Sequence, residues 1–133
     1  MSQKYKKKRL VLSPHEELLS SDCALLLAGK WCQTPELNKK LGSYCSVDIV
    51  GYPWDDRDTY RNDFYLIIDL YEFYLVELSR ELSRIHGNSW SVKEWRVLIG
   101  PALYTVISHS VEKWRLAEAI QKCELTEDWV AFG

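Results

Sequence analysis

The sequence predicts an α/β fold, with short parallel strands in the first third of the chain and long helices after them. Three observations carry this. Short continuous apolar runs bounded by turn residues recur before residue 51. From Asn62 the hydrophobic period changes to steps of three and four. Cap residues bracket the periodic segments. The 133 residues are about one domain's worth of chain, and apolar content of 47% with 27% charged residues is that of a folded protein.

The first candidate strands are Leu10-Val11-Leu12 and Ala24-Leu25-Leu26-Leu27-Ala28. Ser46-Val47-Asp48-Ile49-Val50-Gly51 is β-branched and partly alternating. Such runs suit strands buried on both faces of an α/β sheet. Between the last two, Thr34 as N-cap and Pro35 at the first helical position start a short helix through Leu41, ended by Gly42. Phe64, Ile67, Tyr71, Leu75, Leu78 and Leu82 then mark one face of a helix of about six turns. Asp63 is its expected N-cap, and Gly87 closes it. Ser91 with Glu94 forms a capping box, and Trp90 with Trp95 occupies the positions of a hydrophobic staple. The helix that follows is expected to kink or break at Gly100-Pro101, after which Leu103, Ile107, Trp114 and Ile120 resume the period. Trp129 and Phe132 read like the start of another element. The expected organisation is a basic arm over 1–9 and a single α/β domain over 10–133, incomplete at its C-terminal end.

Composition excludes several functions. The formal net charge is −2, so no global basic field awaits nucleic acid. Positive charge gathers in Lys4, Lys6, Lys7, Lys8 and Arg9. Without those five the remaining chain carries −7, five below the −2 of the whole. Such an arm either touches phosphate or an anionic membrane surface or is a solubilising terminus. No secretory signal follows it, and no stretch approaches the roughly 20 apolar residues of a membrane span. Cys23, Cys32, Cys45 and Cys123 form no CxxC pair, which removes the usual zinc spacing. They read as reduced thiols of a cytoplasmic protein. Six Trp, eight Tyr and three Phe imply either a thick core or an aromatic face awaiting a ligand or partner.

The densest polar cluster is Gly51-Tyr52-Pro53-Trp54-Asp55-Asp56-Arg57-Asp58. It follows an expected strand, where ligand sites of open α/β sheets lie. Asp55 and Asp56 beside Arg57 can act as acid and base. Alternatively the carboxylates favour the positive end of the following helix and pair with Arg57. No second ligand group lies near enough in sequence to support a metal, and no cofactor motif is present. Gly29 before Lys30 either turns the chain or admits a ligand close to its backbone. Cys32 as a nucleophile lacks a His to activate it. His86 marks a helix end. Arg96 either offers its guanidinium to a phosphate or pairs with the aspartate cluster. His15 and His109 read as structural or solvated.

Four segments come in a fixed order: Trp31-Cys32 after an apolar strand, Tyr52-x-Trp54-Asp55-Asp56-Arg57, His86-Gly87, and Trp95-Arg96-x-x-Ile99-Gly100-Pro101. Together they resemble the N-terminal region of a family of transferases encoded in bacterial O-antigen and other surface-carbohydrate gene clusters. The resemblance covers about residues 10–120. It departs at Lys30, where the family carries an acidic residue, and at Pro53 and Trp90, where it carries His. Members are much longer, and the resemblance implies a two-domain, glycosyltransferase-like enzyme with the sugar-nucleotide site in a C-terminal domain. The chain would then supply the start of the acceptor-side domain and be inactive alone. Its partners would be a sugar-nucleotide donor, a carbohydrate acceptor and the absent domain. The matching residues are Trp54, Asp55, Asp56, Arg57, His86, Trp95, Arg96, Gly100 and Pro101. Asp55 or Asp56 would be the catalytic base, with Trp54, Arg57, His86, Trp95 and Arg96 against substrate. A stand-alone helical module that binds a partner protein is the alternative.

Overall fold

A computed structural model describes residues 8–11, 24–40 and 46–123. The chain divides into two compact units, residues 1–52 with 116–133, and residues 53–115. Lys4, Lys6, Lys7, Leu12, His15, Cys23, Gly42, Cys45, Trp129 and Phe132 lie outside the described residues.

The first unit holds a three-stranded parallel sheet in the order β1 (Lys8–Val11), β2 (Ala24–Leu27), β3 (Val47–Ile49). Leu10 pairs with Leu26, and Leu26 with Asp48. Every residue of β2 is buried, as its unbroken apolar run requires of a central parallel strand. Edge strand β3 differs from the expectation of burial on both faces: Asp48 and Ile49 are exposed. A short helix, α1 (Pro35–Lys40), stands between β2 and β3. The Asn38 amide donates to the Thr34 carbonyl, as expected of an N-cap at Thr34. The core joins Leu25, Leu27, Cys32 and Val50 to Leu116 and Ile120.

The second unit begins with a 3₁₀ turn, Pro53–Asp55. Two 30-residue helices follow, α2 (Arg57–His86) and α3 (Val92–Gln121), of which α3 runs on into the first unit. Helix α2 starts earlier than the periodicity indicates. Its N-cap is Asp56, whose Oδ2 accepts from the Thr59 amide at 2.9 Å, and Asp63 is instead a buried residue within the helix. The polar first turn, Arg57 to Asn62, concealed the true start. Gly87 closes α2 in the left-handed region, φ 63°, with its amide bonded to the Ser83 carbonyl, a conformation glycine adopts without a Cβ penalty. The capping box of α3 forms: the Ser91 amide donates to Glu94 Oε2 at 2.7 Å, and the Glu94 amide to Ser91 Oγ at 3.4 Å. The Trp90 and Trp95 rings meet at 5.0 Å.

The two helices pack antiparallel, Asp63 against Arg115 at one end and Ser83 against Trp95 at the other. Ile67, Ile107 and Val111 form the centre of the packed stripe, with Leu70, Tyr71 and Leu103 around them. Of the kink or break expected at Gly100-Pro101, the break does not occur, and α3 continues through Pro101. Packing overrides the local rule here. A Cβ on Gly100 would lie 2.6 Å from the Tyr71 hydroxyl, so the missing side chain lets α2 come close while the helix runs on.

Candidate functional site

Residue 55 is where the sequence placed a catalytic carboxylate, and the structure exposes it. Asp55 ends the 3₁₀ turn. Asp56 is committed to the helix start, since both the Thr59 hydroxyl (2.6 Å) and its amide (2.9 Å) donate to Oδ2. Those two bonds hold its carboxyl below the ordinary value. Asp55 makes no such bond among the described residues. Arg57 is exposed on the first turn of α2.

Trp54 takes its position from a pair that the sequence reading missed. Its Nε1 donates to Asp63 Oδ2 at 2.9 Å. Asp63 is 1% exposed and is also held by Arg115, Nη2 to Oδ1 at 2.9 Å and Nε to Oδ1 at 3.0 Å. Burial alone would raise the Asp63 pKa, but the bonds from Arg115 and Trp54 and the guanidinium charge outweigh it and hold the carboxyl low. A signal existed: Asp63 sits one four-residue step before Ile67, and Arg115 one such step after Val111, both in apolar stripes.

Two shallow clefts flank this turn. One, of about 400 Å³, is lined by Arg57, Tyr60, Arg61, Phe64 and Tyr65. The other, of about 230 Å³, is lined by Trp54, Tyr60, Phe64, Ile67, Tyr104 and Ser108. Among the described residues, Ser108 Oγ is buried there without a hydrogen-bond partner. Tyr60 and Phe64 form the ridge shared by the two, and the Tyr60 ring meets Trp54 edge-on at 5.9 Å.

The remaining candidates lie further along α2, Arg96 against its middle and His86 and Trp95 at its far end. The helix has 30 residues, so Arg57 and His86 are about 43 Å apart. One small substrate cannot touch both. His86 is exposed with its ring 6.0 Å from Trp95. Trp95 is buried, its Nε1 donating to Ser83 Oγ at 2.7 Å. Arg96 does not reach the aspartate cluster. It pairs with Glu72 through two bonds, 2.6 and 2.7 Å, and lies 5.5 Å over the Tyr71 ring. That pairing raises the Arg96 pKa and lowers that of Glu72. The structure thus groups Trp54, Asp55, Asp56 and Arg57 and separates them from His86, Trp95 and Arg96.

In the first unit, the space over Gly29 is taken by the protein itself: a Cβ there would lie 1.9 Å from Trp31 Cζ3. Cys32 is buried and its Sγ donates to the Val11 carbonyl at 3.4 Å. Burial pushes that thiol up, away from nucleophilic form. Among the described residues, no three His, Cys, Asp or Glu side chains come together to hold a metal, and no helix is long and apolar enough to cross a membrane.

No curated protein and no solved structure matches the chain significantly. One family model does match, over residues 8–131, which takes in both units and the whole Trp54–Arg57 turn. The chain belongs to the LIC12162 family of transferases.

Proposed function

We propose that the chain is the acceptor-side part of a sugar transferase of surface-polysaccharide assembly, with the Trp54–Arg57 turn against the carbohydrate acceptor. The observation that carries this reading is Asp55, an exposed carboxylate on a turn whose neighbours are fixed. Trp54 is tied to Asp63, and Asp56 caps α2. In the proposed step an acceptor hydroxyl oxygen attacks the anomeric carbon of the donor sugar. Asp55 takes the hydroxyl proton, and the nucleoside diphosphate leaves with the bonding electron pair. The donor is bound by a further domain, as the resemblance to O-antigen-cluster transferases implies, so the chain alone does not turn over. Arg57 orients the acceptor. His86, about 43 Å away along α2, and Arg96, held by Glu72 about 22 Å along it, serve a different surface, and Trp95 anchors the α2–α3 turn. Free thiols at Cys32 and Cys123 fit work in a reducing compartment, the cytoplasm.

The test is Asp55→Asn in a longer member of the family, assayed for transfer. General-base removal lowers the rate by about 10²–10⁴-fold, and unchanged transfer would remove Asp55 from the chemistry. A second reading, a module that docks a partner protein, is favoured by Phe73, Ile85, Val97, Leu98, Val106 and Trp114, all more than half exposed. Under it, Val97→Lys with Trp114→Lys abolishes transfer while acceptor binding at Trp54 survives.

A further inference from the structure

The geometry points to the cleft between Arg57 and Tyr65 as a binding site for a glycosyl phosphate, which rests on the reading that this turn meets carbohydrate and names the class of molecule it takes. Arg57 and Arg61 stand one helical turn apart on the same face of α2. Both are exposed, and among the described residues neither has an ion-pair or hydrogen-bond partner. The other arginines further along the two helices are engaged: Arg80 by Glu77, Arg84 by Glu81, Arg96 by Glu72 and Arg115 by Asp63. Two guanidiniums left over at one spot, each able to grip an oxyanion with two N–H groups, suit a phosphate better than a single charge does. Of the carboxylates beside Arg57 in the chain, Asp56 is turned to Thr59, and neither Asp55 nor Asp58 pairs with an arginine among the described residues.

The rest of the cleft is aromatic. Tyr60, Phe64 and Tyr65 line it with the arginines, and Tyr65 is 61% exposed. Ring faces pack against the C–H face of a sugar, and the phenol tips reach its hydroxyls. Beyond the Tyr60–Phe64 ridge, the buried Ser108 hydroxyl retains unused hydrogen-bonding capacity. A phosphate held by Arg57 and Arg61, with its sugar over the rings, uses both features at once.

Isothermal titration of the 133-residue chain tests the assignment, with glucose, galactose and N-acetylglucosamine 1-phosphates, inorganic phosphate, methyl glucoside and UMP as probes. At least one sugar phosphate should bind at least fivefold more tightly than inorganic phosphate or UMP. Arg57→Gln with Arg61→Gln should weaken it tenfold or more. Tyr65→Ala should weaken the sugar phosphate alone and leave inorganic phosphate unchanged. These exposed side chains can be replaced without opening the helix pair, which the circular dichroism of each variant verifies. No binding of any sugar phosphate, equal binding of inorganic phosphate, tighter binding of UMP, or a double-arginine variant that binds as before overturns the site. Its failure is separable from that of the catalytic reading. Asp55→Asn can abolish transfer while the arginine variants bind normally, and the reverse pattern removes the base but keeps the cleft.

Discussion

Arg115 reaches Asp63 with two nitrogens and Trp54 adds a third donor, so one buried carboxylate fixes the turn that carries Asp55. The two ends of this pair are not equivalent. Arg115→Ala strands a charge that is 1% exposed and should cost about 3 kcal/mol in urea unfolding. Asp63→Asn still accepts from Trp54 and frees a guanidinium that is already one third exposed, so its cost should be smaller. If the two costs were equal, the buried-charge argument would fail. The folded pKa of Asp63 lies below its ordinary value, so its stabilisation is complete above about pH 4 and fades as pH falls through the folded value. The melting temperature should drop on acidification below pH 4, and Asp63→Asn should flatten that drop. An acid and an arginine inside apolar stripes were legible in the sequence. That they meet across 52 residues was not, because partners over that distance are chosen by packing.

Helix starts and stops were the best-written features of the chain, since a cap needs only residues within a turn of itself. Gly87, Ser91 and Glu94 do what their types dictate. Asp56 was passed over for Asp63 because the first turn of α2 buries nothing and shows no period. Pro101 shows the opposite limit, where a local breaker yields to tertiary contact. Gly100→Ala sets two effects against each other. Helix propensity gains about 1 kcal/mol, while crowding the Tyr71 hydroxyl costs about 1–3 kcal/mol. The single variant should be neutral to destabilising. In a Tyr71→Phe background the same substitution should become stabilising, and a double-mutant cycle by thermal unfolding reads the difference. Pro101→Ala restores a donor to the Val97 carbonyl and should raise the melting temperature.

At the scale of the molecule, the α/β class was readable because β2 has no polar residue to place on either face. The division into two units was not. Helix α3 keeps one unbroken period across Arg115 and Leu116, where the chain passes from one unit to the other. Leu116 and Ile120 close the sheet core, so Leu116→Ala should cost about 2–5 kcal/mol. Hydrogen exchange should show that loss first at the amides of Leu25, Val50 and Ala28. If those amides stayed protected while α2 opened, the assignment of the α3 end to the sheet would be wrong.

That closure also fixes an order in time. The helix pair can close as a hairpin from its turn outward, beginning with Ser83 and Trp95, 12 residues apart, and such local contacts form fast. Strand β2 emerges from the ribosome early, yet the residues that seal it, 116–120, come about 90 positions later. At roughly 5–20 residues per second, its three leucines wait for several seconds with one side uncovered. In that interval the nascent chain is most open to chaperones and to pairing with another copy.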